Sequence, residues 1–155
     1  MPCTNRNLLK NGNFRSGIFP WTGTGIKWVK NPFQEGDVSV LMKGSATNHA
    51  VLKQTIPGEF EEECSYYLNF RVLNVTSGGG EAILYAAVSY LDGRKNLIRT
   101  TPLLIEPPAG SSSWYSYFSI VPPPPAKTRF ATVVFLLAKG ELLVDYIRFA
   151  SHSIS

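Results

Sequence analysis

Cys64 to Leu73 obey a strict two-residue period. Cys64, Tyr66, Leu68, Phe70 and Val72 alternate with Ser65, Tyr67, Asn69, Arg71 and Leu73. Successive side chains of a strand point to opposite faces, so this stretch buries one apolar face as a strand and none as a helix. The same period recurs at Val38, Val40 and Met42, and again where Trp114, Ser116, Phe118 and Ile120 alternate with Tyr115, Tyr117, Ser119 and Val121. A 3.6-residue period is not evident. Ile83 to Leu91 reads as another strand, ending at Asp92-Gly93, a dipeptide suited to a tight hairpin turn. Asn96 to Ile105 is its return strand, placed at an edge or a bulge by Pro102.

Pro122 to Pro125 carry no backbone N–H and cannot sit inside a ladder, so they predict a stiff crossover between two sheets. Phe130 to Leu137 and Leu142 to Phe149, joined around Lys139-Gly140, are apolar at nearly every position. Both are expected to be central strands buried on two sides. Loops fall at 31–37, 76–80 and 106–113, where Gly, Pro, Ser and Asn gather. Eight or more strands at a spacing of about 8–12 residues predict an all-β fold, a two-sheet antiparallel β-sandwich of jelly-roll type. The expected organisation is a flexible arm over residues 1–6, a sandwich over 7–150 and a tail over 151–155.

Composition removes several function classes. With 155 residues, 44% hydrophobic and 17% charged, the chain has too much packing material for wholesale disorder. No apolar run approaches the ~20 residues of a membrane span. The opening Met1 to Arg6 lacks an apolar leader, so the chain is expected to be a mature fragment or to act without crossing a membrane by that route. The net charge of +4 invites a nucleic-acid partner, but the 15 basic residues are scattered, with no basic block in any five-residue window. A groove binder needs them clustered, so no nucleic-acid partner is expected.

The catalytic inventory is thin. There is no G-x-S-x-G elbow, P-loop or H-E-x-x-H. His49 lies in a loop and His152 near the end of the chain. Glu61, Glu62 and Glu63 read as a solvated turn, Gly78 to Gly80 as a flexible loop tip. The chain is expected not to be an enzyme, and no cofactor is implied.

Three sets of residues stand out. Cys3 and Cys64 are the two cysteines. They are either unrelated thiols, or Cys3 on its arm cross-links neighbouring subunits in oxidising surroundings. Asp145 alternates with Leu143, Ile147 and Phe149, so an ionised carboxylate falls on an apolar face and needs a partner. That partner is a calcium ion, backbone N–H groups or a cation such as Arg15. Finally, Tyr67, Asn69 and Arg71 should project together from one strand, and Tyr115 and Tyr117 from another. Rings beside amide and guanidinium groups suit sugars, whose C–H faces stack while their hydroxyls need donors and acceptors.

The opening Asn7-Leu8-Leu9-Lys10-Asn11-Gly12-Asn13-Phe14 with Trp21 resembles the start of the galactose-binding-like jelly rolls found as carbohydrate-binding modules. Further likenesses follow in order: Gln54 before Pro57-Gly58, Tyr67-x-Leu-x-Phe70, Trp114 with Tyr117 before the prolines, and Leu142 to Ile147. Phe19-Pro20-Trp21-Thr22-Gly23-Thr24 and the proline-rich segment before an apolar hairpin ending in Val-Asp are similar to the head domain of collagen-like triple-helix-repeat proteins of spore-forming Gram-positive bacteria. That likeness implies a non-catalytic cell- or spore-surface protein associating with itself through its arm and sheet edges. The broader likeness implies a module that binds a surface glycan.

Many such modules hold a structural calcium ion with a Glu after Asn-Gly-x-Phe and a second acid after the last strand's Asp. Here Arg15 and Tyr146 stand at those positions. A guanidinium in place of a carboxylate repels the ion, so calcium is disfavoured. Arg15 is expected to pair with Asp145 and tie the first strand to the last.

Overall fold

The computed structural model describes residues 3–45, 47–58, 60–110 and 112–152. They form ten strands: β1 (Thr22–Thr24), β2 (Ile26–Lys30), β3 (Val38–Lys43), β4 (Ala50–Pro57), β5 (Ser65–Asn74), β6 (Ile83–Leu91), β7 (Leu97–Ile105), β8 (Tyr115–Val121), β9 (Phe130–Lys139) and β10 (Glu141–His152). The first sheet runs β1-β4-β9-β6-β7 and the second β2-β3-β10-β5-β8. Every pairing is antiparallel. The expected jelly-roll sandwich is the observed fold.

Alternation places the core. Tyr66, Leu68, Phe70 and Val72 of β5 face Leu84, Ala86, Val88 and Tyr90 of β6 and Val133, Phe135 and Leu137 of β9 within one cluster of buried side chains. Phe70 meets Phe135 edge-on at 4.9 Å between ring centres. Phe14 and Trp21 join this core from the segment before β1, and the Trp21 indole donates to the Asn11 carbonyl at 3.1 Å. The Asn-Gly-Asn-Phe opening is thus a packing element.

Pro102 lies on β7, an edge strand, where a missing donor costs no ladder bond. The four prolines carry the chain from β8 in the second sheet to β9 in the first. The turn at Gly140 also changes sheets, so β9 and β10 are not a paired hairpin. β10 is buried on both faces along most of its length, whereas the outer face of β9 is half-exposed. β10 continues through His152, so the last strand runs past the expected boundary at residue 150.

Candidate functional site

One face of the second sheet carries a polar and aromatic surface. On β5 it presents Tyr67, Asn69 and Arg71, aligned with Ala150, Arg148 and Asp145 of β10. On β8 the aligned residues are Ile120, Phe118 and Ser116. Tyr67 and Phe118 stack at 5.7 Å between ring centres.

The expected face is therefore corrected on its second strand. Tyr117 lies opposite Phe70 and stacks on it toward the core, and Tyr115 lies opposite Val72. Trp114, Phe118 and Ile120, not Tyr115 and Tyr117, share the side of Tyr67. Both halves of the β8 alternation are aromatic, so its period alone left the inward half undetermined.

Asp145 is buried, but not where simple alternation puts it. β10 has a bulge between Asp145 and Arg148. The extra residue shifts the pattern, leaving Ile147 and Phe149 in the core while Asp145 turns to the outer face beside Arg71. The bulge also turns out Tyr146, a non-glycine residue at φ 49°, with its ring at the surface.

The partner of Asp145 is Arg71, at 3.1 Å from Nη2 to Oδ2. The same Nη2 reaches Asp37 Oδ2 at 2.7 Å. Arg71 lies between two rings, 4.0 Å from the centre of Tyr146 and 4.4 Å from that of Trp114. The Tyr146 N–H donates to Asp145 Oδ1 at 2.8 Å, and Asn31 donates to Asp37 Oδ2 at 3.1 Å. Burial pushes the Asp145 carboxyl up to about 6, helped by the charge of Asp37 and opposed by the Tyr146 and Arg71 donors.

The expected Arg15–Asp145 tie is not formed. Arg15 is exposed, while Arg71 occupies the carboxylate because strand pairing sets it directly opposite Asp145. The fit to calcium fails on the same geometry: one oxygen of Asp145 accepts from a backbone N–H and the other faces a guanidinium. Among the described residues, no three His, Cys, Asp or Glu side chains gather to hold a metal.

The N-terminal segment is also corrected. Cys3 and Cys64 form a disulfide with each other, so neither thiol is free to cross-link subunits. From Cys3 the chain runs along β10. Leu8 N–H donates to the Phe149 carbonyl, Ile147 N–H to that of Gly12, and the Asn7 side chain bonds Ile147 O and Phe149 N. The arm expected to be flexible is thus held from Cys3 onward by its own chain. Asn5 accepts from Tyr67 Oη at 2.6 Å, and Arg148 donates to both Tyr67 Oη and the Asn5 carbonyl.

Between this segment and the bulge lies a cleft of about 430 Å³, lined by Asn7, Asn11, Asn13, Asn69, Tyr146 and Arg148, with Leu9, Gly12 and Ile147. Asn69 Oδ1 is buried with no hydrogen-bond partner among the described residues, as are Ser39 Oγ, Arg71 Nε and Trp114 Nε1. A second cleft, of about 530 Å³, lies on the other side of the arm against Phe60, Glu61 and Tyr66. Asp37 and Arg148 escaped the sequence reading because the loop before β3 and strand pairing bring them to this face, whereas Trp114 is legible there only in the β8 alternation and the resemblance. Asn7, Asn11 and Asn13 carry no signal of their own in the sequence beyond the resemblance of their segment.

No protein-family model and no curated protein matches this sequence. Solved structures do match. TmCBM61 in complex with β-1,4-galactotriose superposes with a TM-score of 0.70 at 18% identity, covering 95% of this chain and 99% of that one. The C-terminal family 22 carbohydrate binding module of Clostridium thermocellum Xyn10B gives 0.66 at 14% identity, covering 97% of each. The enzymatically active domain of bacteriophage CBA120 tailspike protein 4 gives 0.72 at 19% identity, covering 94% of this chain but only 21% of that one.

The fold is that of a carbohydrate-binding-module jelly roll. It also occurs as a part of larger enzymes, so the fold alone does not assign an activity.

Proposed function

We propose that the chain is a non-catalytic, glycan-binding module of an extracellular protein, and that the glycan lies in the cleft between residues 7–13 and the β10 bulge. The observation that carries this reading is the cleft's lining. The amides of Asn7 and Asn11 are engaged by backbone groups. This leaves those of Asn13 and Asn69 beside an exposed tyrosine ring to meet the needs of a sugar, because an amide donates and accepts while a ring stacks on C–H faces. Asn69 lines this cleft with its Oδ1 buried and without a partner, so a turn of the side chain towards the cleft would offer that acceptor to a ligand hydroxyl. A volume of about 430 Å³ lies in the usual range for a small-ligand site, ~300–1,000 Å³.

Two further observations support the reading. Structural neighbours spanning their full length are described as carbohydrate-binding modules, one of them holding a galactotriose. The Cys3–Cys64 disulfide suits an oxidising, extracellular setting. Self-association through the arm loses its motive, since Cys3 and residues 7–12 are engaged within the chain.

Affinity electrophoresis through gels containing soluble polysaccharides tests the proposal. The protein is expected to be retarded by at least one polysaccharide. Asn69→Ala and Tyr146→Ala should each lose about 10-fold in affinity with their cooperative unfolding retained. Migration unchanged by every polysaccharide would contradict the proposal.

A further inference from the structure

Arg148 lies at the mouth of the proposed glycan site and is unusual among the charged groups there. Arg71 is matched by Asp37 and Asp145, both buried. Arg148 is half-buried, yet no carboxylate of the described residues comes within ion-pairing distance of it. Its partners are neutral: Nε donates to Tyr67 Oη at 3.0 Å and Nη2 to the Asn5 carbonyl. These two bonds fix the plane of the guanidinium and leave three of its five N–H donors unassigned. It is the one formal charge among the cleft's lining residues, whose other polar groups are amides and a phenol.

A partly desolvated cation without a counter-ion is unfavourable in the free protein, and that cost is relieved when a ligand supplies the negative charge. The planar fork of arginine matches a carboxylate through two parallel N–H···O bonds, whereas a neutral hydroxyl satisfies one. Neutral sugars are also well served by carboxylate acceptors, and none lines this cleft. We infer that the site takes an acidic glycan, one bearing uronate carboxylates, with Arg148 as the specificity-determining residue. This inference rests on the glycan-binding reading above and names its ligand class.

The test uses the whole chain on an array in which each uronate-containing glycan is printed beside its carboxyl-reduced counterpart. Binding is expected to be confined to acidic members, with reduction of the carboxyl group weakening it about 10-fold or more, as loss of a charged hydrogen bond does. Arg148→Gln should remove the difference between each pair, and Arg148→Lys, which keeps the charge but not the fork, should retain part of it. Equal binding to acidic and reduced members would overturn this inference and leave the glycan reading standing. Binding to no glycan would overturn both. If Arg148→Gln fails to unfold cooperatively, Arg148→Lys and the paired glycans on the unaltered protein still decide the question.

Discussion

Arg71 connects two buried carboxylates and two aromatic rings. Removing it leaves Asp37 and Asp145 facing each other without a cation. Arg71→Ala is therefore expected to cost about 3–5 kcal/mol in chemical denaturation, the scale for breaking a buried ion pair from one side. A loss below about 1 kcal/mol would mean that the cluster is not holding the outer face together.

Asp145 gives a second prediction, in pH. Its carboxyl is raised in the folded protein to about 6, above the ordinary value of 3.8, chiefly by burial. Between those values the folded state holds the proton more tightly than the unfolded chain does. This group's contribution to stability is therefore fully present below about pH 4, falls as pH rises towards 6, and is flat above. The melting temperature of the protein should fall across that window more steeply than that of Asp145→Asn; parallel curves would contradict the assignment. That Asp145 is buried and needs a partner was legible in the sequence, but its face was not, because the bulge parts it from Ile147 and Phe149. The identity of that partner was not, because a bulge and a strand pairing select Arg71 over Arg15.

At the scale of elements, the segment from Cys3 to Phe14 shapes the site. Its disulfide joins residues 61 apart, and closing a loop of that size stabilises by ~4 kcal/mol on the chain-entropy account. Cys3→Ser with Cys64→Ser should lower stability by about that amount or less. It should also weaken glycan binding, because Asn5, which holds Tyr67 and Arg148, loses its anchor two residues away. Isothermal titration on the double variant checks the second point, and undiminished affinity would separate the arm from the site.

Gly12 has a different role: a Cβ there would meet the Ile147 carbonyl oxygen at 2.1 Å. Gly12→Ala should cost about 2–3 kcal/mol or more by forcing the segment off the bulge, as thermal unfolding would register. Most strands were legible because their alternation is clean, and Pro102 and Pro122–Pro125 marked an edge and a crossover correctly. The bulge was not legible, since one extra residue in β10 leaves no compositional mark. The inward half of β8 was hidden for another reason, that aromatics occupy both of its faces.

Across the whole molecule, one face of one sheet accumulates polar atoms without partners, a bulged tyrosine and an unmatched cation, while the core beneath is apolar and filled. That contrast separates what folds the chain from what the proposed glycan site would use. The sandwich closes through Phe14, Trp21, Phe70 and Phe135, none of which reaches the cleft. The most direct measurement is amide-shift mapping of the isotopically labelled protein titrated with an oligosaccharide that it binds. Shifts concentrated at Asn7 to Asn13, Asn69 and Tyr146 to Arg148 are the predicted result. Shifts confined to the outer face of the opposite sheet, around Lys53, Thr132 and Tyr85, would contradict the account.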